Sequence, residues 1–181
     1  LEAEVGWYSS AQTVVISRRS GEHKIQDVYL EFWQTADDGT VILSGRIAYP
    51  QIFDTDDAIC TAFNEFMSEA AEQKYQSVLN DYAEVKAFYE ESLNSGMYFT
   101  PYLIERKFDI TYDTNNIISV LCYDSDFTGG AHPSSEYFSL TFDLSSGKSL
   151  ELGDVFNSGE AYARTLAKSK YVQMIEAQPE M

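Results

Sequence analysis

The sequence predicts an α+β fold in which an antiparallel sheet packs against one long amphipathic helix, with a second, shorter helix near the C-terminus. Two observations lead to this prediction. Segments with strand-forming residues and alternating polarity lie on both sides of a central segment whose apolar residues recur every three or four positions. A sheet with one apolar face and a helix with one apolar stripe bury those surfaces when they pack together.

The length and composition suit one folded domain. A chain of 181 residues can bury a substantial core, and 44% hydrophobic and 14% aromatic content is far too apolar for a disordered protein. We therefore predict a single domain over residues 1–181. It is divided into N-terminal strands over 1–53, the long helix over 54–95, further antiparallel strands over 98–152 and the C-terminal helix over 159–177.

The first strands are predicted to form a hairpin. Residues 27–34 and 41–49 are rich in β-branched and aromatic residues, and Asp37-Asp38-Gly39 between them is a strong turn signal. Residues 12–18 are expected to add an edge strand. Pro50 is expected to end the second arm of the hairpin, because proline has no amide hydrogen to donate to the sheet.

The central segment is predicted to be helical. Gly96 is a suitable residue to end it, and the length leaves open whether it is one helix or two with a break. Between residues 54 and 91 ten acidic residues stand against Lys74 and Lys86, so we expect one outer face of the helix to be strongly acidic. The apolar residues that carry the helical period are Ile59, Phe63, Phe66, Met67, Ala70, Tyr75, Val78, Leu79, Tyr82, Val85, Phe88 and Tyr89.

The second half of the chain returns to the period of strands. Residues 99–112, 116–127 and 135–144 are predicted to be strands, with turns at 113–116 and 145–148. Their alternation implies one buried face and one solvent-exposed face. After them, helical spacing resumes and predicts the shorter helix. Its apolar positions are Tyr162, Leu166, Tyr171 and Ile175.

Charge and hydropathy exclude several classes of protein. A net charge of −17 argues against nucleic acid as a partner, because binding to phosphates requires clustered Lys and Arg. The apolar runs are only as long as strands, so no membrane span is predicted. The acidity has two open interpretations: it keeps a secreted protein soluble, or it attracts a basic protein partner.

Residues able to form disulfide or metal sites are few. Cys60 and Cys122 both lie in apolar surroundings, which favours two buried free thiols over a bridge. Asp54, Asp56 and Asp57 could bind calcium, but no EF-hand sequence follows, and acidic residues at a helix start are explained by capping and the helix dipole. We predict no metal site and no cofactor.

The most distinctive stretch is the loop Asp126-Phe127-Thr128-Gly129-Gly130-Ala131-His132-Pro133, between two predicted strands. Its glycines are expected to serve a turn, and His132 to close the loop by a hydrogen bond. The alternative is that Thr128, Gly129, Gly130 and His132 form a ligand-binding surface, since loops on rigid scaffolds often carry function. These four residues are our candidate binding site.

Catalysis by the same loop is a third reading. His132 could act as a general base if a nucleophile and an orienting carboxylate lay within hydrogen-bond reach, and Ser134, Ser135, Asp124 and Asp126 are close in sequence. Since no motif places these residues in defined roles, we predict no catalytic residues and a protein that is not an enzyme.

A set of motifs resembles a known family. They are Tyr49-Pro50-Gln51-Ile52 before the long helix, Tyr123 with the loop Thr128-Gly129-Gly130-Ala131-His132, Phe142-Asp143-Leu144, and Ser146-Gly147-Lys148-Ser149-Leu150-Glu151-Leu152-Gly153-Asp154-Val155-Phe156. Over residues of about 40–176 the chain resembles the extracytoplasmic domain of RsiV-type anti-sigma factors, where it senses lysozyme, and of PdaC-type peptidoglycan deacetylases. It departs from the family pattern at Pro133, where a glycine commonly follows the histidine.

The resemblance implies a binding or sensing domain at the bacterial cell envelope. It implies that the protein is secreted, or anchored to the cell surface through a segment outside these residues. The expected partner is a basic protein such as lysozyme, and the alternative is a peptidoglycan fragment, bound by a glycan-binding module that accompanies a wall-modifying enzyme. A hydrolase that uses His132 is the third possibility.

Overall fold

A computed structural model of the protein describes residues 16–53, 58–114, 116–155 and 159–176. The chain forms two compact units, Leu1–Lys148 and Ser149–Met181. The strands are β1 (Ile16–Ser20), β2 (His23–Thr35), β3 (Val41–Ile52), β4 (Tyr102–Asp113), β5 (Ile117–Phe127), β6 (Ser134–Asp143) and the short β7 (Lys148–Leu150) at the unit boundary. The helices are α1 (Ala58–Asn80), α2 (Tyr82–Ser95), α3 (Leu152–Val155) and α4 (Gly159–Glu176).

The α+β class is confirmed, but the sheet is not entirely antiparallel as predicted. Strands β1 to β6 are hydrogen-bonded in chain order, and every neighbouring pair is antiparallel except β3 and β4. These two run parallel from Leu43 opposite Tyr102 to Ile47 opposite Arg106. Because α1 and α2 connect them, the chain crosses back to the end of the sheet where it started, which makes the next strand parallel.

The predicted hairpin is present, but Pro50 does not end it. Strands β2 and β3 pair antiparallel, and Pro50 lies inside β3 opposite Asp27. The parallel ladder with β4 ends at Ile47, so beyond that residue β3 pairs with β2 on one side. A residue without an amide hydrogen is tolerated where one edge of a strand has no ladder partner.

The long helical segment is divided in two, the second of the two possibilities that the sequence left open. Helix α1 ends at Asn80 and α2 begins at Tyr82, with Asp81 between them. The amide of Asp81 donates to the Val78 carbonyl at 3.2 Å, a tighter turn than that of an α-helix. Asn and Asp are poor helix formers because their side chains compete for backbone hydrogen bonds. Asn80 and Asp81 follow each other here and favour a break in the helix.

The end of α2 agrees with the prediction. Gly96 has φ of +69°, and the amides of Gly96 and Met97 donate to the carbonyls of Leu93 and Ser92. This pair of hydrogen bonds is the Schellman motif, which favours glycine because of the left-handed conformation. The predicted start of the helix at residues 54–57 lies outside the described residues, as do residues 12–15 of the predicted edge strand.

The core of the first unit joins α1 to the inward positions of the strands. The ring centroids of Phe63 and Phe142 are 5.6 Å apart, and those of Phe32 and Tyr75 are 5.0 Å apart. Cys60 and Cys122 are both buried and form no disulfide bridge with each other, as expected from their apolar surroundings. Other fully buried residues include Ile25, Ile42, Ile47, Ile118 and Val120.

The second unit contains the predicted C-terminal helix as α4. Of its four predicted apolar positions, Leu166 and Tyr171 are exposed, whereas the side chains of Tyr162 and Ile175 lie outside the described residues. Among the described helices, none combines the length and apolar character needed to cross a membrane.

Candidate functional site

The predicted binding loop is the exposed connection between β5 and β6. Thr128, Gly129, Gly130 and His132 are all exposed. Gly129 has φ of +88°, the left-handed region that favours glycine, whereas Gly130 has no positive φ. A β-carbon at Gly129 would lie 3.6 Å from that of Thr100, which places the loop beside the connection from α2 to β4.

The ring of His132 contacts the backbone of the next residue, Pro133, and not a catalytic partner. Its Nδ1 atom is 3.2 Å from the carbonyl oxygen of Pro133, so the tautomer protonated at Nδ1 donates a hydrogen bond there. Two of the residues that could have completed a catalytic group make other contacts. The Ser135 hydroxyl bonds to the Tyr123 hydroxyl at 3.0 Å, and Asp124 pairs with Arg106. Because this contact joins adjacent residues, closure of the loop by His132 stays a prediction.

A charge cluster with a buried central pair lies at the end of β5, directly before this loop in the chain, and it was not predicted from the sequence. Arg106 donates from Nε and Nη2 to the two carboxylate oxygens of Asp124 at 2.7 and 2.9 Å. Its Nη1 donates to the Ala70 carbonyl at 3.1 Å. Lys74 extends the cluster, with Nζ 2.6 Å from Asp126 and 3.4 Å from Asp124. We call Lys74, Arg106, Asp124 and Asp126 the charge cluster.

The electrostatics of the cluster favour the ionised state of Asp124. Burial alone would raise the pKa of this carboxyl, but the hydrogen bonds and positive charge of Arg106, together with Lys74, outweigh burial and hold the pKa below its usual value. The Oδ1 atom of Asp126 is buried and accepts no hydrogen bond within the described structure. The cluster therefore ties the last residues of β5, and with them the loop, to α1.

A signal for this cluster was present in the sequence. Arg106 and Asp124 occupy positions in their strands that alternate in phase with apolar, inward-facing residues such as Ile104 and Cys122. A charged residue in such a position is expected to be paired, because an isolated buried charge is costly. Which acid meets which base depended on the register of β4 and β5, which places Arg106 opposite Asp124.

The outer surface of α1 and α2 is acidic, as predicted. Both lysines of these helices are engaged in ion pairs, Lys74 in the charge cluster and Lys86 with Asp37 at 2.6 Å. They therefore offer little positive charge to offset the acidic residues around them. The exposed carboxylates of the two helices and of the residue between them are those of Glu65, Glu69, Glu72, Asp81, Glu84, Glu90 and Glu91. We call these seven residues the acidic helix face.

The opposite face of the sheet carries a groove along the seam of β3 and β4. Arg106 faces α1, so the neighbouring residues Glu105 and Lys107 point to the other side. Two cavities of about 300 and 320 Å³ lie there and share Arg46 and Glu105 in their linings. Trp33, 37% exposed, lines the second cavity. We call these two cavities the open-face groove.

Ion pairs and ring contacts hold the polar side chains of the groove in place. The Arg46 guanidinium lies 3.8 Å from the centroid of the Tyr29 ring, and its Nε is 3.2 Å from the Glu31 carboxylate. Lys107 and Glu105 are paired at 2.8 Å. The groove thus offers an aromatic wall and paired charges. No group of three or more potential metal ligands occurs in the described part of the chain, and the predicted calcium alternative at Asp54, Asp56 and Asp57 lies outside it.

Comparisons with known proteins agree with the resemblance predicted from the sequence. Residues 37–135 match the family model described as deacetylase PdaC. This match runs from the β2–β3 turn through both helices to the start of β6 and includes the predicted loop. No curated protein matches the chain.

Two solved structures have a similar fold. One is a member of the DUF3298 family from Bacteroides fragilis, with a TM-score of 0.63 and 16% identity, covering 90% of this chain and 72% of that one. The other is a DUF3298 family protein from Pseudomonas aeruginosa, with a TM-score of 0.50 and 14% identity, covering 92% and 69%. At these identities the similarity concerns the fold alone.

Proposed function

Since the chain belongs to the deacetylase PdaC family, we propose that it is an extracytoplasmic binding or sensing domain of the bacterial cell envelope that recognises a basic protein such as lysozyme. The observation that carries the proposal is the acidic helix face, with its seven exposed carboxylates. The resemblance to lysozyme-sensing domains supports the same partner class. We do not propose deacetylase activity for this chain on the ground of the family's name.

The acidic helix face suits a basic partner for a physical reason. Its carboxylates are exposed and the two lysines of the same helices are paired with other acids, so the field of the face is negative over several turns. A basic protein approaching this face is steered electrostatically, which raises the association rate at low ionic strength. The net charge of −17 acts in the same direction at longer range.

Titration calorimetry of the full chain with hen lysozyme at low and moderate salt tests the proposal. We expect saturable binding that weakens as salt is added, because screening shortens the range of the attraction. The triple variant Glu65→Gln, Glu69→Gln, Glu72→Gln removes three charges from one side of α1 without changing side-chain size. We expect weaker binding and a flatter salt dependence for this variant.

The matched control removes three exposed charges elsewhere. The variant Glu22→Gln, Asp109→Asn, Glu136→Gln has the same net charge as the helix variant, but its substitutions are scattered over β1–β2, β4 and β6. If both triple variants lose the same affinity, only net charge matters and the acidic helix face is not the recognition surface. Absence of lysozyme binding by the unsubstituted chain would refute the proposal itself.

The second candidate function is a glycan-binding module, and the open-face groove favours it. Aromatic rings such as Trp33 offer a surface on which a sugar ring can stack, and Arg46 and Glu105 offer hydrogen bonds to hydroxyl groups. Tyr137, 69% exposed, lies further along the sheet, with its ring 4.7 Å from that of Tyr123.

The same calorimetry with an uncharged peptidoglycan fragment tests this candidate. Stacked sugars carry no net charge, so their binding should hardly respond to salt. Glycan binding that persists at moderate salt and is lost in Trp33→Ala would support the module. Glycan binding that Trp33→Ala leaves unchanged would exclude the open-face groove as its site.

A further inference from the structure

Three connections meet at one end of the first unit. Strands β3 and β4 begin there and β2 and β5 end there, so this end carries the β2–β3 turn, the connection from α2 to β4, and the β5–β6 loop. A β-carbon at Gly129 would lie 3.6 Å from that of Thr100, so the β5–β6 loop adjoins the connection from α2 to β4. The hydroxyl of Tyr89 on α2 donates to Asp38 at 2.7 Å and so holds the β2–β3 turn beside α2.

This end exposes large apolar side chains. Tyr98 is 89% exposed, Leu93 58% and Met97 53%, all at the end of α2 or just after it. Exposed hydrophobic residues in one place mark interaction sites far more often than single ones do. Tyrosine in particular provides a large contact area at a small cost in conformational entropy.

The backbone that carries these side chains is well supported. The Schellman hydrogen bonds of Gly96 and Met97 define the exit from α2. The next aromatic, Phe99, packs against Tyr89 and Tyr102 with ring centroids 5.0 and 6.3 Å away. Tyr98 is therefore presented to solvent from a connection anchored on both sides, which lowers the entropy lost when a partner binds.

The charges around these side chains indicate the kind of partner. Glu90 and Glu91 are exposed in the last turns of α2, and the nearest lysine of that helix, Lys86, is paired with Asp37. A second copy of this chain would bring like charges together, because each copy carries a net charge of −17. A basic partner is attracted instead of repelled, because its Lys and Arg side chains would face the carboxylates of Glu90 and Glu91 while its apolar surface contacts the exposed apolar side chains.

We infer that Leu93, Met97 and Tyr98, together with the adjoining loop at residues 128–133, form the docking surface for a basic protein that has an apolar cavity rimmed by Lys or Arg, with Tyr98 as the anchor. The inference rests on the proposed function and adds the place and the mode of contact. The acidic helix face then steers the partner, while the apolar end holds it.

Calorimetry with hen lysozyme as the probe tests the inference on the full chain. The variant Tyr98→Ala should fold normally, because the side chain is almost fully exposed, and should bind about tenfold or more weakly. The control is Tyr112→Ala, which removes a tyrosine that is 54% exposed at the opposite end of β4 and should leave binding unchanged. Because an anchor acts after encounter, the affinity should fall by a similar factor at low and at moderate salt, so its salt dependence should be unchanged.

The outcomes separate this inference from the proposed function. Lysozyme binding that is weakened by Tyr98→Ala but not by Tyr112→Ala supports both. Lysozyme binding that both variants retain overturns the docking surface and leaves the proposed function standing. A parent chain that does not bind lysozyme overturns the proposed function and the docking surface with it.

Discussion

Disruption of the pair between Arg106 and Asp124 is expected to destabilise the domain severely and asymmetrically. The two side chains are 9% and 8% exposed and share two hydrogen bonds, so removal of either leaves a buried charge. Breaking a buried pair in this way costs about 3–5 kcal/mol of unfolding free energy. The neighbours of each partner decide where in this range the two single variants fall.

The neighbours make Arg106→Met the milder change. In that variant Asp124 keeps Lys74 at 3.4 Å, so we expect a loss of about 3 kcal/mol. In Asp124→Leu the guanidinium cannot lose its charge, and within the described part of the chain it keeps the Ala70 carbonyl and the Phe138 ring, 4.9 Å from its centre. We expect a loss of about 5 kcal/mol in this case. The double variant should recover most of the stability, because no unpaired charge remains there and Lys74 keeps Asp126.

Urea unfolding followed by far-UV circular dichroism measures these differences. The pKa of Asp124 is lowered in the folded state, so its contribution to stability is present above the unfolded pKa of about 3.9 and is lost as the pH falls through the folded pKa. Asp124→Leu should therefore lose less stability than the parent chain on acidification. Equal losses in the two single variants, or a double variant as unstable as the sum of both, would refute the reasoning.

Three further predictions concern glycine positions and a buried thiol. Gly129→Ala should cost about 1–2 kcal/mol, because φ of +88° is strained for alanine, while Gly130→Ala, which has no positive φ, should be nearly neutral; thermal unfolding compares the two. Gly45→Ala should cost more than either, because its β-carbon would collide with the Phe32 ring, and we expect this variant to have the lowest unfolding midpoint of the three. Burial raises the pKa of the Cys122 thiol to about 11, so a thiol reagent at about pH 8 should modify it only after denaturant is added, and rapid labelling of the native chain would contradict the buried position.

The elements that depend on residues nearby in the chain could be predicted from the sequence. The strong alternation of residues 116–127 and the turn signal at Asp37-Asp38-Gly39 both correspond to observed strands and turns. Gly96 ends α2 as expected, because a left-handed helix terminus favours glycine wherever it occurs. The family could also be identified from the sequence, since its motifs are short and lie in a fixed order along the chain.

Two predictions were wrong because a distant partner decides the outcome. Pro50 stays inside β3 because β4 has already separated from that strand, which no local signal indicates. The parallel pairing of β3 with β4 follows from the crossover through two helices, a property of topology rather than of either strand.

The candidate site shows the same division. The sequence by itself determined that the loop containing Thr128, Gly129, Gly130 and His132 would be an exposed connection, and that the helices would be acidic, because turn chemistry and charge are properties of the residues present. Only the tertiary structure decided that Arg106 pairs with Asp124 near the end of β5, and that the loop adjoins the connection that carries Tyr98. Such contacts join residues far apart in the chain, and they arise from strand register and chain crossover, which the whole fold sets when it buries its core.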